Sequence, residues 1–344
     1  DFFGARRAGF PARELTDVLR RNTSTTGMLE KIEAAPPGFI NFTLSDSYLH
    51  HQLARLIDEP HHFTHAPVGE GKRALVEFIS ANPTGPLTLG SARGAFYGDV
   101  LATILAATDH KVEREFYIND AKSSTQIREL GKTALGQGTT YDSEHLQTLL
   151  KRLRERANLD ELDLAEAGYL VAHEIQLENA QFIQDALGIH FDDWFSEQEL
   201  YESRAVEKAL ADLRSRGLVY EKDGAQWLKT TDFGDEHDQV IIRSSGEPTY
   251  FLSDIAYHAD KFRRGFDWVI DILGADHQGH VKRMAAVAKL LGYEGRLDLR
   301  FMQLVRLKRE GESLKMSKRL GTAMPLKWLI GEVGLDAARY FFVS

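Results

Sequence analysis

The chain has 344 residues, of which 43% are hydrophobic and 27% charged, values typical of a globular protein large enough for two or three domains. It contains no cysteine, which excludes disulfides and thiolate zinc sites, and no apolar run approaches the roughly 18 residues of a membrane span. The formal net charge of -9 argues against indiscriminate binding of polyanions, although a local basic patch can still contact RNA phosphates.

Residues 1–66 are predicted to form a small domain of their own. Glu14 to Arg21 has the spacing of an amphipathic helix, and Gly38 to Leu44 alternates in hydrophobicity as a half-buried strand does. Ser45 and Asp46 follow as a typical cap, which predicts a further helix directly after them.

From residue 67 the pattern changes to α/β. An apolar strand over Arg73–Ile79, a helix over Ala92–Ala107 and a strand over Lys111–Ile118 predict a βαβ unit, in which two parallel strands flank a crossover helix. We therefore assign residues 67–121 to the first half of a parallel-sheet domain.

The stretch 122–236 interrupts this rhythm, because it is charged and mainly helical, and we interpret it as an insertion. Its predicted helices are Leu146–Arg156, Leu162–Leu187 and Glu202–Arg216.

Residues 237–335 return to strands and predict the second half of the same domain. The strands expected there are Gln239–Arg243, Trp268–Leu273 and Leu299–Val305. Residues 336–344 begin a helix, which we interpret as the start of a truncated C-terminal helical domain.

A Pro/Gly turn within residues 80–94 is the first candidate binding site. It joins a predicted strand to a helix, and such a turn offers free backbone N–H groups and the positive end of a helix dipole to a phosphate. Gly85, Gly90 and Gly94 allow close approach of a ligand to the backbone. Glycines at a strand end also occur simply for packing, so these glycines alone leave both interpretations open.

The second candidate is the basic segment Lys315-Met316-Ser317-Lys318-Arg319. A lysine ammonium is a compact point charge on a flexible stem, well suited to neutralising phosphates. Most basic pentamers are solvated loops. The position of this one after the last predicted core strand, together with the Pro/Gly turn, favours a phosphate-binding role.

Together, residues 76–94 and 315–319 resemble the two nucleotide-binding signatures of class I aminoacyl-tRNA synthetases, specifically those of arginyl-tRNA synthetases. Where that family carries His-x-Gly-His, this chain has Thr88-Leu89-Gly90-Ser91, so hydroxyl groups stand in place of both histidines. The resemblance covers essentially the whole chain. It implies an α/β fold: a Rossmann-like (HUP-type) parallel sheet with a helical insertion, preceded by a small α+β N-terminal domain that contacts tRNA.

The resemblance also implies an activity. Such enzymes join L-arginine and ATP, with Mg²⁺, into arginyl-adenylate and then transfer the arginyl group to tRNA(Arg). It further implies a cytoplasmic monomer without a membrane partner and without a metal ion held by the protein.

Five residues match the positions at which that family binds arginine. Glu77, Ser80 and Asn82 follow the first strand, and Tyr250 and Asp254 lie in a later segment. The resemblance implies that both carboxylates pair with the guanidinium and that Tyr250 stacks on it or donates a hydrogen bond. A planar fork of N–H donors is indeed best matched by carboxylates beside an aromatic face.

The remaining site residues also follow from the resemblance. Lys315 and Lys318 would neutralise the departing phosphates, and Thr88 and Ser91 would act where the family has histidines. The implied ATP contacts are Pro86, Gly90, Gly94, Asp276, His277, Met316 and Ser317.

Two alternatives use the same residues. The missing histidines favour a non-catalytic relative that binds arginine, ATP or tRNA without turnover, whereas Lys315, Lys318, Glu77 and Asp254 oppose it. A repurposed enzyme that passes arginine to another acceptor is the second alternative.

Overall fold

The computed structural model describes residues 12–22, 27–60, 65–275, 279, 281–303, 308–309, 312–313 and 324–344. It divides the chain into two compact units, Asp1–Pro67 and Val68–Ser344. Within the described parts of both units, no helix is long and apolar enough to cross a membrane.

The described part of the first unit contains two helices and one hairpin. Helix α1 (Ala12–Asn22) precedes strands β1 (Leu29–Ala35) and β2 (Phe39–Leu44), which pair antiparallel. Helix α2 (Asp46–Asp58) then begins at Ser45, whose hydroxyl accepts a hydrogen bond from the Tyr48 amide at 3.2 Å. The predicted helix, strand and cap are confirmed here.

A five-stranded parallel sheet forms the centre of the second unit. Its strands are β3 (Arg73–Glu77), β4 (Lys111–Ile118), β5 (Asp193–Ser196), β9 (Trp268–Gly274) and β10 (Leu297–Met302). Their spatial order is β10-β9-β3-β4-β5, and every neighbouring pair is parallel. The chain thus winds outward from β3 in one direction, and later from β9 in the other, which is the doubly wound arrangement.

Helix α3 (Leu89–Ala107) connects β3 to β4 and packs closely on the sheet. A Cβ atom at Gly98 would lie 2.3 Å from the Phe78 ring, so this glycine allows the approach. Phe78 is fully buried, and its ring centroid lies 4.5 Å from that of Phe191. The predicted βαβ unit is confirmed, with its second strand at the predicted bounds.

Three helices follow β4 and form a core of their own: α4 (Thr125–Ala134), α5 (Glu144–Arg154) and α6 (Leu164–Leu187). Helices α4 and α6 cross at Gly131 and Gly168. A Cβ atom at Gly131 would lie 1.9 Å from the Leu164 carbonyl oxygen, and one at Gly168 would lie 1.9 Å from that of Ile127. The two helix backbones therefore touch.

The rest of residues 122–236 departs from the predicted insertion. Strand β5 belongs to the parallel sheet, where Glu115 to Ile118 pair with Asp193 to Ser196. Helices α7 (Glu197–Glu202) and α8 (Ala205–Ser215) follow it. The predicted stretch thus includes one strand of the main sheet, which four half-buried residues are too short to signal in the sequence.

A separate antiparallel sheet also departs from the prediction. It consists of β6 (Val219–Lys222), β7 (Ala225–Leu228) and β8 (Gln239–Ile242). The strand predicted at Gln239 is confirmed, but it pairs with β7 rather than with the parallel sheet. Asp223 and Gly224, with φ values of 53° and 72°, join β6 to β7 as a hairpin, and β8 pairs antiparallel with the other edge of β7.

The remaining elements complete the second unit. Helix α9 (Tyr250–Arg263) leads into β9, and helix α10 (Val281–Leu290) leads into β10. Short strands β11 (Lys308–Arg309) and β12 (Glu312–Ser313) pair antiparallel. Helices α11 (Leu326–Val333) and α12 (Leu335–Val343) end the chain, which confirms the predicted last helix.

Candidate active site

The site lies where the two halves of the parallel sheet meet. Strands β3 and β9 are neighbours in space, yet the chain continues from β3 toward one edge of the sheet and from β9 toward the other. Ligands of doubly wound folds bind outside the carboxyl ends of the strands at this switch point. The residues that follow β3 and β4 lie at this edge.

The turn after β3 has an unusual backbone. Ile79 and Ser80 both have positive φ, at 69° and 40°, a conformation that side chains with a Cβ atom rarely adopt. The Ser80 hydroxyl holds it, because it donates to Glu77 Oε1 at 2.7 Å and accepts from the Tyr117 amide at 3.1 Å. The Asn82 carbonyl accepts from the Thr84 amide at 2.8 Å. The strand end is thus fixed by its own neighbours.

Glu77 belongs to a buried network of charges. Lys261 is fully buried, and its Nζ donates to Glu77 Oε2 at 2.5 Å and to Asp271 Oδ1 at 2.7 Å. Tyr257 donates to Glu77 Oε2 at 3.0 Å. Burial alone would raise the pKa of Asp271, but the Lys261 ammonium and the His258 ring lower it below its usual range. Asp271 and Lys261 are therefore both ionised.

The same network continues to Glu115 and Arg264. The Tyr257 hydroxyl also lies 2.5 Å from Glu115 Oε1, and Arg264 Nη2 lies 2.6 Å from Glu115 Oε2. Burial raises the pKa of Glu115 to about 7 in spite of Lys261 and Arg264. Burial also lowers the affinity of Lys261 for its proton, yet Asp271, Glu77 and Glu115 outweigh this and raise its pKa.

A second group of carboxyl groups lies around Glu197, which has no positively charged partner among the described residues. Glu197 begins α7, is only 3% exposed and accepts a hydrogen bond from the Ala121 amide. Burial, together with the carboxylates of Asp254 and Asp120, raises its pKa to about 7. Among the described residues, no lysine, arginine or histidine forms an ion pair with Glu197. Glu197 is thus a buried carboxyl group with other carboxyl groups nearby and no ion-pair partner in the described part of the chain.

Aromatic hydroxyls lie in the same part of the site. Burial raises the pKa of Tyr117, and Glu197 and Asp254 raise it further, so this phenol remains neutral. The Tyr201 hydroxyl lies 2.7 Å from the Ser253 hydroxyl. Tyr250, at the start of α9, is half exposed and lines a cavity of about 660 Å³ together with Tyr201, Arg128 and Arg243.

The Pro/Gly turn begins α3 at the same edge. Thr88 stands at the N-cap position, and its side chain makes no capping hydrogen bond within the described helix. Gly90 is exposed, and nothing lies within 4 Å of a Cβ atom built on Gly94. One side of the helix start is therefore open at Gly90 and Gly94, and helix N-termini favour anions.

The chain that follows the basic segment returns to this turn. The Leu326 amide donates to the Leu87 carbonyl at 2.8 Å, and the Leu89 amide donates to the Met324 carbonyl at 3.1 Å. The predicted residues Asp276, His277, Lys315, Met316, Ser317 and Lys318 lie outside the described residues.

Residues 54–341 match the family model for the catalytic domain of class I (R) tRNA synthetases. That match covers well over half of the chain. The chain belongs to the class I (R) tRNA synthetase family. The family and the fold class predicted from the sequence are thereby confirmed.

Individual relatives agree with the family model. The arginine–tRNA ligase of Desulforamulus reducens is 43% identical over 98% of this chain and 64% of its own length. That of Moorella thermoacetica is 46% identical over 91% of this chain and 59% of its own length. The chain thus spans about three-fifths of these curated relatives.

Solved structures share the fold of this synthetase family. A Campylobacter jejuni protein described as an arginyl-tRNA synthetase superposes on this chain with a TM-score of 0.76 and 32% identity. The superposition covers 87% of this chain and 68% of the other. The Thermus thermophilus arginyl-tRNA synthetase gives a TM-score of 0.69 over 99% of this chain and 67% of its own, and at 19% identity it supports the fold alone.

The structure brings most of the predicted site residues that it describes to one edge of the sheet, but their surroundings differ. Glu77, Ser80 and Asn82 follow β3, whereas Tyr250 and Asp254 lie one helical turn apart on α9. Asp254 is one of the charges that raise the pKa of Glu197. Glu77 is instead engaged by Lys261, Tyr257 and Ser80.

Sequence reasoning missed Glu197 altogether. It lies in a run of three acidic or amide residues at the start of a short helix, and such a run is usually solvated. Its position in the sequence could have pointed to it, because Glu197 comes one serine after the apolar pair Trp194-Phe195. A polar residue at the carboxyl end of a strand is a candidate ligand of the sheet edge.

Proposed function

We propose that this chain catalyses the ATP-dependent joining of L-arginine to tRNA(Arg) through arginyl-adenylate. The observation that supports this best is the buried carboxyl group of Glu197, which follows strand β5 at the carboxyl edge of a class I synthetase sheet. It has no ion-pair partner in the described part of the chain, and Asp254 is among the charges that raise its pKa. A guanidinium is the cation that two adjacent carboxylates match most closely, because its five donors form a planar fork.

The proposed arginine site uses Glu197 and Asp254 for the guanidinium, with Tyr250 beside it. Glu77 was predicted as the second partner, but Lys261 already forms an ion pair with it, so we assign Glu77 to holding the strand-end turn through Ser80. Ser80 and Asn82 then lie next to the amino and carboxylate groups of the substrate. In this arrangement, the side chain and the reacting end of arginine are held from opposite sides.

The proposed nucleotide site is the first turn of α3. Adenylate formation requires the arginine carboxylate oxygen to attack the α-phosphorus of ATP while the bond to pyrophosphate breaks on the opposite side. Such in-line displacement depends mainly on positioning and on neutralising negative charge. Thr88 and Ser91 supply hydroxyl donors there, and the helix N-terminus supplies a partial positive charge.

The second step moves the arginyl group to tRNA. A hydroxyl of the terminal ribose attacks the mixed anhydride, forms the ester and releases AMP. Lys315 and Lys318 remain our candidates for neutralising pyrophosphate in the first step, and Asp276, His277, Met316 and Ser317 for further ATP contacts. Magnesium enters as part of the substrate, bound to the ATP phosphates. We assign the reaction to the cytoplasm, where protein synthesis uses charged tRNA, and to a monomer.

The proposal is tested by charging of tRNA(Arg) with labelled arginine, ATP and magnesium, alongside arginine-dependent ATP–pyrophosphate exchange in the presence of tRNA. Glu197→Gln removes the charge but keeps the shape, and we expect it to lower kcat/KM for arginine by about 100-fold. Glu199→Gln is the matched control, because Glu199 lies on the same helix but is exposed. Citrulline, which lacks the positive charge, should not compete.

Other outcomes identify the alternatives. Exchange without tRNA charging would favour transfer of arginine to another acceptor. Binding of arginine or ATP without exchange would favour the non-catalytic relative, which the hydroxyls of Thr88 and Ser91 in place of histidines already suggest. Equal activity of Glu197→Gln and the unaltered chain would remove Glu197 from the arginine site.

A further inference from the structure

The Pro/Gly turn has backbone groups that must find partners inside the protein. Pro83, Thr84, Gly85 and Leu87 are buried, and buried backbone N–H and C=O groups cost free energy when they are left unpaired. The turn is too irregular for a ladder with a neighbouring strand. The Leu87 carbonyl is paired with the Leu326 amide, whereas the Leu87 amide and the Gly85 carbonyl have no backbone partner in the described part of the chain.

One side chain from the helical region pairs with both groups. Asn179 of α6 accepts from the Leu87 amide through Oδ1 at 3.1 Å and donates from Nδ2 to the Gly85 carbonyl at 3.2 Å. The amide has a single orientation that satisfies both, because its oxygen must face the N–H group and its nitrogen the carbonyl. Asn179 is 3% exposed.

The helix that carries Asn179 is anchored on both sides of it. Toward its N-terminus, Gly168 lies against the backbone of α4, and Ile175 belongs to the core of the three helices. Toward its C-terminus, Ile183 and Leu187 belong to the core beneath the parallel sheet. A side chain between two packed cores is held more precisely than one on a loop.

The paired groups lie directly before the proposed phosphate site. Leu87 precedes Thr88, the N-cap of α3, so the position of the Leu87 amide sets where the first turn of the helix begins. A displacement of about 1 Å in a catalytic array can lower a rate by about 100-fold.

We infer that Asn179 is a positioning residue for nucleotide binding, because it fixes the Pro/Gly turn from the helical region. This inference rests on the proposed function of the turn. Asn179 touches neither substrate in this assignment, and it acts through the backbone of Gly85 and Leu87.

The test compares Asn179→Asp with Gln176→Leu. Asn179→Asp keeps an acceptor for the Leu87 amide but presents an oxygen to the Gly85 carbonyl, which repels it. Gln176 lies one turn earlier on α6, is 5% exposed, and neither of its amide atoms has a hydrogen-bond partner among the described residues. Gln176→Leu is therefore a matched control that removes a buried amide without breaking a bond.

The readout is ATP–pyrophosphate exchange with ATP and arginine varied separately. We expect Asn179→Asp to lower kcat/KM for ATP by about 10- to 100-fold and to leave KM for arginine within about twofold. Gln176→Leu should match the unaltered chain in both. An equal loss for both substrates, or no loss, would overturn the inference. If Asn179→Asp does not fold, Asn179→Ser replaces it, because a hydroxyl both donates and accepts, and a smaller loss confined to ATP is expected.

A binding measurement separates this inference from the proposed function. Calorimetric titration with a non-hydrolysable ATP analogue needs no turnover. A chain that exchanges no pyrophosphate, but whose affinity for the analogue falls in Asn179→Asp alone, would contradict the proposed reaction and support the role of Asn179. Equal affinities of Asn179→Asp and the unaltered chain would contradict the role of Asn179 whatever the activity.

Discussion

Glu77 and Glu197 are two buried glutamates at one edge of the sheet, and their surroundings give them different tasks. Glu77 has an ion pair with Lys261 and two hydroxyl donors, so its carboxylate is stabilised when the site is empty. Glu197 has the Ala121 amide and two carboxyl neighbours, so its charge is costly until a cation arrives. Only the second arrangement leaves free energy that a cationic substrate can use.

The pH dependence of Glu197 provides a prediction. Its folded pKa of about 7 lies above the ordinary value of 4.5, so the folded chain holds a proton that the unfolded chain releases between these values. The stability due to this group is complete below pH 4.5 and is lost as the pH rises through 7. The Glu197→Gln side chain stays neutral at every pH. Between pH 4.5 and pH 8, the free energy of unfolding of this variant in urea should therefore rise by about 3 kcal/mol relative to that of the unaltered chain.

Arginine binding should have the opposite pH dependence, because it should weaken as the pH falls. The guanidinium requires the ionised carboxylate, so KM for arginine should rise about tenfold per unit as the pH falls below 7. Glu115 has a similar pKa but is present in both proteins, so the difference between them isolates Glu197. A stability difference that is independent of pH would show that Glu197 is already ionised in the empty site.

At the scale of single residues, the sequence was a partial guide. Ser80, Tyr250 and Asp254 could be named because they match motif positions. The partner of Glu77 could not, because Lys261 lies 184 residues away along the chain. Nothing in a local pattern distinguishes a carboxylate that meets a buried lysine from one that awaits a substrate.

At the scale of elements, the crossing of α4 and α6 depends on two glycines. A methyl group at Gly131 would overlap the Leu164 carbonyl, and backbone atoms on both helices cannot move aside without separating them. We expect Gly131→Ala to destabilise the chain by about 3 kcal/mol in urea unfolding, at the upper end of overpacking effects.

A glycine with free space provides the control for this crossing. Gly331 lies in α11, and nothing is within 4 Å of a Cβ atom built on it. Because alanine favours helix over glycine, Gly331→Ala should stabilise by about 0.5–1 kcal/mol. Similar changes in both variants would mean that the helices tolerate a wider separation than the structure indicates.

Long elements could be predicted from the sequence, and short ones could not. Helix α6 extends over six turns with an apolar face, and Asp163 caps it through the amides of Ala165 and Glu166, so its predicted bounds differ from the observed ones by two residues at most. Strand β5 has only four half-buried residues. Its membership of the parallel sheet depends on pairing with β4, which is tertiary information.

At the scale of the whole second unit, the central strand pair joins distant parts of the chain. Arg73 begins β3, and its amide bonds to the Asp267 carboxylate, 194 residues further on. All of α3 to α9 lies between these two strands. The switch point, and with it the proposed site, therefore exists only when both halves of the sheet are together.

The order in which the chain folds is a consequence of this arrangement. Contacts between residues far apart in sequence form late, because the entropy of closing a long loop is lost before the contacts form. Pulse-labelled hydrogen exchange during refolding should therefore find the amides of α4 and α6 protected before those of β3 and β9. Simultaneous protection of both sets would contradict this order. A chain that has only its helical region folded has no place for nucleotide, so ATP should slow unfolding of the finished sheet without speeding its assembly.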